Sequence, residues 1–104
     1  MMNTTRTPLI AGNWKMHGWG DDAVALAQGV VDGVAGVTGR EVLLAPPFTA
    51  LSAVADVLSG SNVLLAGQNM HAEQQGAFTG DVSAPMLKSV ACTHVILGHS
   101  ERRQ

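Results

Sequence analysis

Val42-Leu43-Leu44-Ala45 decides the fold, together with three runs like it: Leu9-Ile10-Ala11, Val63-Leu64-Leu65-Ala66 and Val95-Ile96-Leu97. None alternates apolar with polar residues. A strand with one wet face alternates, whereas a short unbroken apolar run suits a strand covered on both faces, as in a parallel sheet. Periodicity alone also admits short buried helices, so the segments between the runs must decide.

Those segments read as helices. After the first run, Asp21 and Asp22 offer an N-cap, and Val24, Ala27, Val31 and Val34 follow at helical spacing. Gly29 and Gly33 weaken that helix by up to about 1 kcal/mol each relative to Ala, and Gly39 is its expected stop. Thr49 is the expected cap of a second helix through Leu58, with Leu51, Val54 and Leu58 as its buried stripe and Gly60 as its end. Ser83 is the expected cap of a third, completed by Leu87, Val90 and Ala91. Its Pro85 lies in the first turn, where a missing N–H does no harm. The fold class is therefore α/β, with parallel strands alternating with helices in right-handed βαβ units. Gln68 to Asp81 is a long polar loop, and a loop of that length in a compact domain usually carries a function.

Composition narrows the function classes. A chain of 104 residues with 46% apolar content suits one ordered domain. Its 4% aromatic content leaves the core to aliphatic side chains. A formal charge of −2 gives no footing for nucleic acid or an anionic membrane as partner. Cys92 is the only cysteine, so no internal disulfide forms, in keeping with a reducing compartment. It reads as a small core-side hydrophobe, since a reactive thiol needs a neighbouring base or cation. The polar N-terminus lacks a signal-peptide pattern. No run approaches the roughly 18 apolar residues of a membrane span. The expectation is a soluble cytoplasmic protein.

Each apolar run ends in polar or special residues. Asn13 and Lys15 follow the first, Pro46 and Pro47 the second, Gln68 and Asn69 the third, and His99, Ser100 and Glu101 the fourth. In parallel α/β folds ligands bind beyond the carboxyl ends of the strands. One rim thus gathers a cation, an imidazole, a carboxylate and amides, which points to a small-molecule site for an anionic ligand. A structural reading competes at every position: a solvated Lys15, a packed His99, a turn at Asn13, and Glu101 in the first turn of a following helix. His17, His71, His94 and His99 have neither a cysteine partner nor an HExxH arrangement, so no protein metal site is expected. There is no Walker-type phosphate loop and no GxGxxG fingerprint.

The wording of the motifs adds more. Ala11-Gly12-Asn13-Trp14-Lys15-Met16 resembles the opening motif of the triosephosphate isomerase family, and Val95-Ile96-Leu97-Gly98-His99-Ser100-Glu101-Arg102-Arg103 resembles its central motif. Gly67-Gln68-Asn69, Gly76-Ala77-Phe78-Thr79-Gly80 and Ser83-Ala84-Pro85-Met86-Leu87-Lys88 resemble its third strand end, its interface loop and the helix after that loop. The likeness runs from about Pro8 to Gln104, in the family's order and spacing.

The resemblance implies that residues 1–104 form the N-terminal half of a single (β/α)8 TIM-barrel domain. It implies interconversion of dihydroxyacetone phosphate and glyceraldehyde 3-phosphate through an enediolate, a step of glycolysis and gluconeogenesis, with no cofactor and no metal. Lys15 would neutralise the phosphate-bearing substrate and the enediolate. Asn13 would orient Lys15 and touch the ligand. His99 would polarise the carbonyl, with Ser100 and Glu101 in support. Thr79 would reach into a neighbouring subunit and buttress its Asn13 and Glu101, and Asp81 and Arg102 would pair across that homodimer interface.

A whole barrel typically needs about 250 residues. The family's catalytic base is a glutamate farther along, which no residue here matches. Glu101 is the tempting substitute, but it sits at the wrong strand end. The lid and the later phosphate-gripping loops are likewise unmatched. The expectation is a segment inactive by itself and prone to associate through unpaired strand edges. The rivals are a non-catalytic, self-associating half-barrel module and another phosphosugar barrel enzyme with a related opening.

Overall fold

The computed structural model describes residues 8–99. It contains β1 (Leu9–Asn13), α1 (Gly20–Val34), β2 (Glu41–Ala45), a single 3-10 turn (Phe48–Ala50), α2 (Leu51–Leu58), β3 (Val63–Gly67), α3 (Ala84–Ser89) and β4 (His94–Val95). The strands form one sheet in the order β1-β2-β3-β4, with every pair parallel. The order never reverses. Right-handed crossovers that always step the same way lay their helices on one face, which is barrel-type winding; a doubly wound sheet reverses order at its middle.

Registered residues share a face. Val42 stands beside Val63, and Leu44 beside Gly12 and Leu65. These residues pack on the helix side with Ala23, Ala27, Leu51, Val54, Leu58 and Leu87. The intervening residues Leu43, Ala45 and Ala66, with Leu64 and Ile96 beside them, form a second cluster. That is why the middle runs carry no polar alternation: both faces of β2 and β3 are covered. β1 differs, for Leu9 and Ile10 are 49% and 48% exposed. Among the described residues it pairs with β2 alone.

The helices correct several local expectations. α1 starts at Gly20, its N-cap is Trp19, and Asp21 and Asp22 lie inside its first turn with no side-chain capping bond. They still favour that end through the helix dipole. Its packed stripe is Ala23, Ala27, Val30, Val31 and Val34, so Ala23 takes the place foreseen for Val24. α1 stops at Val34, and Gly36 at φ 85° turns the chain ahead of Gly39. Thr49 lies within the 3-10 turn and caps nothing, while Leu51, Val54 and Leu58 are buried as foreseen. Ser83 occupies the N-cap position of α3, but its hydroxyl makes no capping bond. α3 ends at Ser89, so Val90 is its C-cap and Ala91, at φ 68°, lies beyond it. β4 is two residues long, although the Ile96 N–H still donates to the Gly67 carbonyl at 2.9 Å.

α3 closes onto the end of β3 because residue 67 has no side chain. A Cβ there would lie 2.8 Å from both Leu87 methyl carbons. Glycine at that point lets Leu87 seat against the sheet, and this sets where the chain leaves β3 for Gln68.

Candidate functional site

The sheet delivers polar residues to one rim. Asn13 ends β1 in register with Ala45, whose side chain lies on the face away from the helices. Lys15 follows two residues later, Gln68 comes directly after β3, and His99 lies four residues beyond β4. Together with Met16, Phe48 and Asn69 they line an open cleft of about 360 Å³. Asn13, Gln68 and His99 are half-buried, and Lys15 is exposed.

Hydrogen bonds fix the backbone of this rim. Lys15 has φ 53°, a left-handed conformation rare for a residue with a Cβ. Its peptide groups are held at both ends. The Lys15 N–H donates to Asn13 Oδ1 at 2.8 Å. The Gln68 carboxamide donates to the Lys15 carbonyl at 2.6 Å and to the Ala45 carbonyl at 3.0 Å. Because both partners are carbonyls, the atom facing them must be the amide nitrogen. The Ala45 carbonyl also accepts from the Trp14 N–H at 3.1 Å, which ties the end of β1 to the end of β2.

His99 is set by the same segment. Its Nε2 faces the main-chain carbonyls of Gln68 and, at 3.1 Å, of Ile96. Carbonyls only accept, so Nε2 carries the proton and donates to both.

Beyond Asn69 the long loop closes on itself instead of on the cleft. The His71 N–H donates to the Val82 carbonyl at 2.7 Å, and the His71 ring stacks on Phe78 with centroids 3.9 Å apart. Gly76, at φ 144°, approaches Phe78 so closely that a Cβ would strike the ring. Thr79 and Asp81 are exposed on this loop, away from the cleft lining, and Asp81 donates its N–H to the Phe78 carbonyl at 3.0 Å. Ser100, Glu101 and Arg102 lie outside the described residues.

Among the described residues no three His, Cys, Asp or Glu side chains gather as a metal site would require. No helix there is long and apolar enough to cross a membrane. Cys92 is buried, and burial pushes its thiol up from the ordinary range, which disfavours the thiolate.

Of the candidates, Asn13, Lys15 and His99 come together, with Gln68 and Asn69 from the third strand end. Met16 and Phe48 line the cleft without having been foreseen. Pro47 ahead of the 3-10 turn was the one available signal for Phe48.

A parallel sheet wound in one direction, with a cleft over its carboxyl strand ends, defines part of a (β/α)-barrel protein. The family model described as triosephosphate isomerase matches residues 8–104, and the chain belongs to that family. It is 50% identical over 99 residues to the triosephosphate isomerase of Herpetosiphon aurantiacus, covering 95% of this chain and 40% of that protein. It is 56% identical over 99 residues to that of Magnetococcus marinus, covering 94% and 39%. The crystal structure of triosephosphate isomerase from Bartonella henselae superposes with a TM-score of 0.79 at 46% identity, over 95% of this chain and 40% of that one. The chain thus spans about 40% of the length of the relatives it matches, and its fold corresponds to the N-terminal half of their barrel.

Proposed function

We propose that this chain supplies the electrophilic half of a triosephosphate isomerase site. The whole protein then interconverts dihydroxyacetone phosphate and glyceraldehyde 3-phosphate. The observation that carries the reading is the joint placement of Lys15 and His99 in one cleft, on a backbone that Asn13 and Gln68 hold rigidly. In the chemistry, a base takes a proton from the carbon next to the carbonyl while fixed donors hold the enediolate oxygen. Lys15 brings the positive charge that a phosphate and an enediolate both need. Asn13 uses its oxygen on Lys15, which leaves its NH2 as the end that donates to ligand.

His99 polarises the carbonyl through its Nε2 proton. In the described state that proton serves the Gln68 and Ile96 carbonyls. A substrate oxygen therefore takes it over from main-chain acceptors, with a small turn of the ring. Ser100 and Glu101 support the rim. Thr79, Asp81 and Arg102 serve a homodimer interface, in keeping with the exposed, self-braced loop that carries the first two. The setting is cytoplasmic glycolysis and gluconeogenesis.

The described cleft residues include a cation and an imidazole but no carboxylate. In this reading the base is the glutamate found farther along in the family, which no residue here matches, so the 104-residue chain by itself is inactive. General acid–base catalysis contributes roughly two to four powers of ten, so its loss is decisive. The test assays the purified, reduced chain with dihydroxyacetone phosphate, alone and mixed with the complementary portion of a relative. The reading expects no rate above background alone and isomerisation on mixing. Turnover at near-enzyme rates by the chain alone would overturn it.

A further inference from the structure

We infer that Gln68 is the positioning residue of Lys15. This deepens the reading of the cleft as a phosphate-bearing ligand's site and rests on it. A left-handed backbone at a lysine does not persist unless its surroundings impose it. At Lys15 two side chains hold the backbone, one at its N–H and one at its carbonyl. Asn13 holds the N–H, from two residues away on the same strand end, and that bond alone suits many turns. The carbonyl is held from 53 residues away, by Gln68.

Gln68 matches this task in length and chemistry. Its side chain spans from the end of β3 past the end of β2 to Lys15, two residues beyond β1. Both of its amide protons are used, one on the Lys15 carbonyl and one on the Ala45 carbonyl. The Ala45 carbonyl is itself anchored to β1 by the Trp14 N–H. The amide is thus a brace between three strand ends, and Lys15 is its far end. The main-chain carbonyl of the same residue accepts from His99 Nε2. One residue therefore sets the spacing between the cation and the imidazole, through its side chain on one side and its backbone on the other. Asparagine is too short for the side-chain span, and glutamate offers carboxylate oxygen to two carbonyls.

Lys15 and Lys88 are the only lysines of the chain, so amine labelling read by mass spectrometry resolves the two sites. The full chain is acetylated with and without inorganic phosphate. Buried Cys92 gauges folding, because its thiol reacts with a disulfide reagent only when the core opens. In the unaltered chain, phosphate slows labelling at Lys15 and leaves Lys88 unchanged. Gln68→Met keeps the length of the side chain and removes the donor. It is expected to raise the phosphate concentration needed for protection about tenfold, with Cys92 still shielded. If Gln68→Met exposes Cys92, Gln68→Glu is read in its place, with the same expectation.

Equal protection of Lys15 in the unaltered chain and a folded variant overturns the positioning role while the cleft reading stands. Absence of protection in the unaltered chain overturns the cleft reading and the inference with it. Exposure of Cys92 in both variants makes Gln68 a residue of the fold rather than of the site, and the inference fails.

Discussion

Gly67→Ala tests how α3 is seated on the sheet. The glycine has no left-handed backbone, so the substitution carries steric cost and no conformational one. The new methyl would lie 2.8 Å from both Leu87 Cδ atoms and 3.4 Å from its Cγ. Carbon atoms rest at about 3.5–4.0 Å, so Leu87 must retreat by roughly 1 Å. Leu87 is 4% exposed and has little room to do so. Overpacking of this kind costs about 1–3 kcal/mol. Leu87→Ala alone removes a buried side chain and leaves a hole, at about 2–5 kcal/mol. In the double variant the alanine methyl at 67 enters the space that Leu87 vacates. Its cost therefore falls below the sum of the single costs by about 1–2 kcal/mol. The assay is urea unfolding followed by circular dichroism, with midpoints compared at unchanged slope. Costs that add within about 0.5 kcal/mol would refute the contact. Gly67 precedes Gln68, so the same variant is expected to weaken phosphate protection of Lys15 as α3 shifts.

Other expectations follow from single features. Leu43→Ala, on the face away from the helices, costs about 2–5 kcal/mol in the same assay, because Leu43 is nearly fully buried. Gly60 has φ 79° and open space around it, so Gly60→Ala costs about 1–2 kcal/mol from backbone strain alone, and Gly60→Asn costs less. Burial raises the Cys92 thiol, so the unfolded chain loses that proton at a lower pH than the folded one. Stability is then level below the ordinary thiol range and falls as pH rises through it towards the raised folded value. Unfolding midpoints of the unaltered chain and of Cys92→Ala, taken across alkaline pH, are expected to diverge in that window. A parallel pair of curves would contradict the burial effect.

The strands at Val42–Ala45 and Val63–Ala66 were legible because covering both faces demands unbroken apolar runs, and both faces are covered. The same logic overstated β1. Leu9 and Ile10 are as apolar as their neighbours, but a run of apolar residues does not say which surface covers it. In helix α1 only the first position of the stripe was misread, because Ala23, small and fully buried, leaves a weaker apolar signal than Val24. Asn13, Lys15 and His99 could be placed on one rim because strand ends share a direction in a parallel sheet. The brace from Gln68 was not legible. It depends on carbonyls of Lys15 and Ala45, and backbone acceptors leave no mark in a side-chain pattern. Nor does sequence announce the left-handed backbone of Lys15, since lysine is a poor residue for it.

The most direct test of the account grafts residues 8–104 in place of the matching segment of the Herpetosiphon aurantiacus relative and measures kcat/KM for dihydroxyacetone phosphate, with and without Lys15→Met. The account predicts an active chimera that loses at least about three powers of ten with Lys15→Met, as removal of a charge fixed against the transition state does. A chimera that folds and is equally active with methionine at position 15 would contradict it.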